Sequence, residues 1–85
     1  MVKYRPHRGG LAESLKEARE FESIDEMKQY ILGSLKKILG DEISLDQITI
    51  DNSKSINDDR IGWRNVRYVK VTFQDCTYID GMVGE

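Results

Sequence analysis

The chain has little of what small proteins use to assemble chemistry. It carries one cysteine, one histidine and one proline in 85 residues. One cysteine excludes an intrachain disulfide framework and a cysteine-rich zinc site, and it fits a reducing, cytoplasmic setting. Cys76 is expected to be a buried, inert thiol within a strand. One histidine, His7, serves as a general base or metal ligand only with partners. The conceivable ones are Asp58, Asp59 and Cys76, all distant in sequence. No Ser/His/Asp arrangement can be assembled around it. Gly9-Gly10 is too short to be a phosphate-cradling loop. No apolar run approaches the roughly 20 residues of a membrane span, and the start MVKYRPH lacks the apolar core of a signal peptide. A net charge of −2 argues against a general nucleic-acid binder.

That net charge hides an asymmetry. Residues 1–10 carry three bases and no acid, residues 11–50 carry nine acids against five bases, and residues 51–85 carry six acids and five bases. The basic start, YRPHR, is therefore positioned to meet acids of the same fold or of a partner. The segment reads as an extended edge strand. Pro6 lacks an N–H and disfavours helical geometry at Arg5. It would also blunt the edge against unwanted pairing. Gly9-Gly10 ends the strand.

Hydrophobic spacing supplies the rest of the architecture. Leu11, Leu15 and Ala18 share one stripe, which predicts a short helix over Leu11–Arg19. Ala18–Glu22 fits a few extended residues or a continuation of that helix. SIDEM then offers an S-x-x-E capping box at Ser23 and Glu26. Ile24, Met27, Ile31, Leu35 and Ile38 come next at helical spacing, with Tyr30, Leu32 and Leu39 widening the face. Lys36 and Lys37 fall in the last turn and Gly40 is the stop. The main helix is thus predicted over Ile24–Leu39, and Gly33 inside it has no evident reason. Ile48 and Ile50 alternate with polar residues in a short strand. NSKSINDD reads as a loop. In RIGWRNVRYVKVTF, Val69, Val71 and Phe73 face one side and Tyr68, Lys70 and Thr72 the other. Gln74-Asp75 turns the chain into CTYID, and Asp80-Gly81 is a second turn signal. Helices come before strands, so the expected class is α+β: a small, mainly antiparallel sheet packed on one long helix, with a short additional N-terminal helix, in a single domain over 1–85.

Two readings of local chemistry have bland competitors. In DNSKSINDDRIG, Asp51, Ser53 and Ser55 alternate as in a calcium loop, but Ile56 stands where glycine is required and Gly62 where the bidentate glutamate belongs. No metal and no cofactor is expected. Arg64, Arg67 and Lys70 beside Tyr68 suggest a basic–aromatic face for single strands. Strict alternation splits them between two faces. Trp63 is expected to anchor the core, given the area it buries; exposed beside Arg60 and Arg64, it would instead be an interface hot spot.

YRPHRGGLAESLKEAREFESIDEMKQYI resembles the start of a family of small proteins from phages, prophages and mobile elements of Gram-positive bacteria, and DDRIGW resembles a second string in them. The resemblance implies phage origin and a cytoplasmic host setting. It brings no activity and no functional residues. The residues themselves point to a non-enzymatic module that binds a protein partner through Tyr4, Arg5, His7, Arg8, Arg60, Trp63 and Arg64. The alternative is nucleic-acid binding through the basic N-terminal segment. Homo-oligomerisation through a sheet edge is compatible with the pattern.

Overall fold

A computed structural model describes all of residues 1–85. The class is α+β, as expected. Strands β1 (Val2–Pro6), β2 (Arg19–Phe21), β3 (Ile48–Ile50), β4 (Ile56–Asp58), β5 (Trp63–Phe73) and β6 (Cys76–Gly84) accompany helices α1 (Leu11–Lys16) and α2 (Ile24–Leu39). All pairings are antiparallel, in the order β2-β1-β6-β5-β3, with β4 also on β5. No helix is long and apolar enough to cross a membrane.

α2 forms where its spacing predicts. The Ser23 hydroxyl accepts the Glu26 N–H at 3.1 Å, satisfying an orphan donor of the first turn, and Gly40 at φ 87° ends the helix. Its buried stripe, Met27, Ile31 and Leu35, lies on Tyr4, Phe21, Ile43, Ile48, Val69, Val71 and Val83. Each such side chain contributes about 1.5–3 kcal/mol on leaving water. Ile38 does not join them. It is 75% exposed, and Leu39 packs against the core instead. A single turn of 3₁₀ helix at Leu45–Gln47 leads into β3. Gln47 fastens this turn to the sheet, donating from Nε2 to the Thr72 carbonyl at 2.9 Å.

The structure differs from the sequence-based expectation at several places, each for a local reason. β1 is an interior strand rather than an edge: it pairs with β2 through Tyr4 and with β6 through Pro6. Pro6 is tolerated because β2 has ended before it. The His7 N–H donates to the Asp80 carbonyl on the β6 side, so by alternation the missing N–H of Pro6 faces the vacated β2 side. Residues Arg19–Phe21 are strand, and α1 is correspondingly short. Its buried residue is Ser14, while Leu15 is exposed. The polar stretch before Trp63 contains β4. Asp80-Gly81 is a bulge rather than a turn. Val69 stands opposite Gly81 and Lys70 opposite Ile79, leaving Asp80 as the extra residue, and β6 runs on to Gly84. The hairpin turn is at Gln74 and Asp75, with φ 51° and 63°. Cys76, at the start of β6, is exposed rather than buried.

The bulge aims Asp80 at β1, where its carboxylate accepts the Tyr4 hydroxyl at 2.6 Å. Burial holds the Asp80 carboxyl above the usual aspartate range, against the lowering effect of that bond. Burial and the neighbouring carboxylate likewise push the Tyr4 phenol up. A carboxyl raised by folding stabilises the fold in its protonated form. That contribution is complete below the unfolded aspartate value and is lost as pH rises through the raised one. Asp80→Asn keeps an acceptor for Tyr4 and removes the proton equilibrium. Denaturant midpoints measured against pH are expected to fall for wild type across that window and to stay level for the variant.

Two glycines give opposite expectations. A Cβ at Gly81 would overlap the Arg5 carbonyl and sit 2.8 Å from the Tyr4 ring, because β1 pairs closely with β6 there. A Cβ at the helical Gly33 would meet nothing within 4 Å. Urea unfolding of Gly81→Ala is therefore expected to show a loss of about 1–3 kcal/mol. Gly33→Ala is expected to gain about 1 kcal/mol.

Candidate functional site: a basic cleft on the open sheet face

The face of the sheet opposite α2 carries the cross-strand row Arg5–Met82–Tyr68, set by the pairings of Met82 with both neighbours. Tyr4 and Val83 point the other way, into the core. A second, small cluster of Trp63, Val66 and Met82, flanked by Ala18 and Ile61, supports this face. Trp63 and Val66 are three apart yet pack together. Asn65, at φ 52°, adds a residue to β5 relative to β4 and breaks the alternation. The Asn57 side-chain oxygen accepts the Asn65 N–H and holds that kink.

Beside this cluster lies an open cleft of about 460 Å³. Cations line it from five places: Arg5 from β1, Arg8 (beside His7) from the turn before α1, Lys54 from the β3–β4 loop, Arg60 from the β4–β5 turn, and Arg67 from β5. The one acid among the lining residues is Asp58. Arg60 grips it with both ends of the guanidinium, Nε at 3.0 Å and Nη2 at 2.9 Å, and adds its backbone N–H at 3.2 Å. These bonds, with the charge of Arg5, hold the Asp58 carboxyl below the usual carboxylate range despite its burial.

Arg5 is only 6% exposed. Its Nη2 lies 3.5 Å from Asp58, its Nη1 donates to the Ser14 hydroxyl at 3.4 Å, and its guanidinium stands 5.6 Å from the centre of the Trp63 ring. Its Nε is buried without a partner. Ser14 in turn donates to the Pro6 carbonyl at 2.7 Å, the group that no β2 residue reaches. Desolvation lowers the Arg5 pKa, and Asp58 works against that shift.

The two strings that stood out in the sequence, Tyr4–Arg8 and Asp58–Trp63, thus meet in space. Of the seven residues expected on one surface, Arg5, His7, Arg8 and Arg60 line the cleft. Trp63 is buried in the small cluster beneath Arg5, matching its reading as an anchor and removing it from any exposed hot spot. Tyr4 is buried on the opposite sheet face. Arg64 is exposed outside the cleft, and its backbone exchanges two bonds with Glu85. Ser14, Lys54, Arg67 and Tyr68 are further members of the lining. Ser14 and Lys54 had no sequence signal. Arg67 and Tyr68 did, and their pairings with Val83 and Met82 keep them on opposite sheet faces as alternation implied, although both line the cleft. His7 makes no side-chain hydrogen bond and no ion pair, and no three metal-ligating side chains cluster. Asp51, a calcium-loop candidate in the sequence, is held by Ser53 and Lys70, which depress its carboxyl. No protein-family model, curated protein or solved structure matches the chain.

A carboxyl depressed by folding contributes stability that is complete above the unfolded aspartate value and is lost as pH falls through the depressed one. Asp58→Asn removes this contribution. Its stability at neutral pH should fall, because two arginines lose their counter-charge. Its further loss below about pH 4 should be smaller than that of wild type. Guanidinium unfolding at a series of pH values checks both.

Proposed function

We propose that the protein is a non-enzymatic binding module whose basic cleft captures an anionic surface of a partner protein. The observation that carries this reading is the convergence of Arg5, Arg8, Lys54, Arg60 and Arg67 on a cleft whose one acid is already paired, in a chain of net charge −2. Such a focus of one sign raises the local concentration of oppositely charged partners. The non-enzymatic part rests on the state of the groups. Asp58 is saturated by arginine and is a poor base, and His7 has no partner to orient it. The resemblance of YRPHRG and DDRIGW to small phage and mobile-element proteins supports an accessory role in a host cytoplasm.

The nucleic-acid alternative loses its first basis, because the basic segment is a paired strand rather than a free arm. Tyr68, 44% exposed beside the cations, is the one group that favours it. Titration with a hexaglutamate peptide and with an oligothymidylate, read by Trp63 emission, separates the two. The peptide is expected to bind, to weaken with salt, and to lose binding when Lys54 and Arg67 are both changed to glutamate. An oligothymidylate that binds more tightly than the peptide assigns the cleft to nucleic acid. A peptide indifferent to that charge reversal removes the cleft from the function.

A further inference from the structure

We propose that the cleft is a phosphoryl-binding site, and that its ligand is a phosphate monoester whose organic part lies against Tyr68 and Ile56. This rests on the anion-binding reading above and names the anion.

Charge is the first ground. Arg67 finds only neutral acceptors, Asn52 Oδ1 at 2.8 Å and the Asn65 carbonyl at 3.4 Å. Lys54 makes no ion pair, and Arg8 meets only Glu17 at 3.5 Å, with both side chains in solvent. Arg5 and Arg60 share one carboxylate. A carboxylate ligand would bring a single charge to this surplus. A phosphate monoester brings a charge of about −1.5 to −2 and three strong acceptor oxygens. Guanidinium forks match that geometry.

The second ground is Arg5 itself. It is a buried guanidinium at the wall of the cleft whose contacts to Ser14 and Asp58 are 3.4 and 3.5 Å long and whose Nε has no acceptor. Buried donors are ordinarily satisfied. An anion docked at the cleft edge of this fork supplies the charge that half of Asp58 does not. Size and lining give the third ground. At about 460 Å³ the cleft has room for far more than a bare phosphate and has the size of an organic-ligand site. Tyr68 and Ile56 are both exposed in it, and Tyr68 comes after Met82 in the row that begins with Arg5. Cationic and apolar groups therefore share one floor, as an ester with an apolar body requires.

The test uses one short peptide with phosphotyrosine, glutamate or tyrosine at its centre, and phenyl phosphate as a free monoester. Binding is followed by calorimetry and Trp63 emission. The phosphotyrosine peptide is expected to bind about tenfold more tightly than the glutamate version. Lys54→Gln and Arg67→Gln, which leave the core untouched, should each remove much of that advantage. Arg5→Lys keeps the charge, loses the fork and should weaken phosphopeptide binding by about tenfold. Side-chain NMR of the wild type gives a readout free of any folding defect, since the Arg5 guanidinium signals should shift with phosphopeptide. Phenyl phosphate binding as tightly as the phosphopeptide assigns the ligand to free phosphorylated molecules. A large preference for the phosphopeptide assigns it to a phosphorylated protein segment. Either result supports the phosphoryl site. A glutamate version that binds equally well overturns it and leaves the acidic-partner reading standing. Failure of the phosphotyrosine and glutamate peptides, together with failure of hexaglutamate, overturns both.

Discussion

A guanidinium occupies a place where a covered sheet face ordinarily carries an aliphatic side chain, and much of the molecule is arranged around it. Arg5 is in the middle of its strand pairing, so its backbone is fixed by β6 before its side chain is considered. Burying that charge is costly unless groups from several elements attend to it. Here Trp63 supplies a ring, Ser14 a hydroxyl from α1, and Asp58 a carboxylate from β4. Asp58 is itself ordered by Arg60. The short helix, the β4–β5 turn and the first strand are therefore bound to one another through a polar junction rather than an apolar one. The fit is incomplete, and that incompleteness is what gives the cleft its chemistry.

The two sheet faces express different solutions to one shortage. An 85-residue chain has little material with which to cover a six-stranded sheet. α2 covers one face with an apolar stripe. The other has only the six residues of α1 and the turns between β3, β4 and β5, so its cover is partial and its floor is part apolar, part charged. The cleft lies where the roof runs out.

Legibility in the sequence divided along the same line. α2 was readable to the residue, because a capping serine, a helical stripe and a terminal glycine all agree. Val69 and Val71 were readable as core because uninterrupted alternation reports a half-buried strand. The failures came from deviations from period two. The extra residue at Asn65 and the bulge at Asp80 each invert the faces of the strand residues beyond them, and neither is a residue with a strong bulge signature. Strict alternation grouped Arg64 with Tyr68 and Lys70, and the extra residue at Asn65 lies between Arg64 and the other two. Pro6 suggested an edge, when it marks only the end of the neighbouring strand. The adjacency of Tyr4–Arg8 and Asp58–Trp63 was a question the sequence could pose but not answer, since a contact across more than fifty residues leaves no local trace.

The pairing of β1 with β6 joins the first strand of the sheet to the last, with a bond from Tyr4 to Asp80 spanning 76 positions. Contacts so distant in sequence carry a large loop-closure cost. While the chain is being made, β1 has only the three residues of β2 beside it, and Arg5 has neither its aromatic neighbour nor its carboxylate. The cleft therefore needs β1, β4, β5 and β6 together and is not a feature of any N-terminal fragment. A ligand that recognises it discriminates finished molecules from nascent or truncated ones, and by binding them it draws the last strand into place.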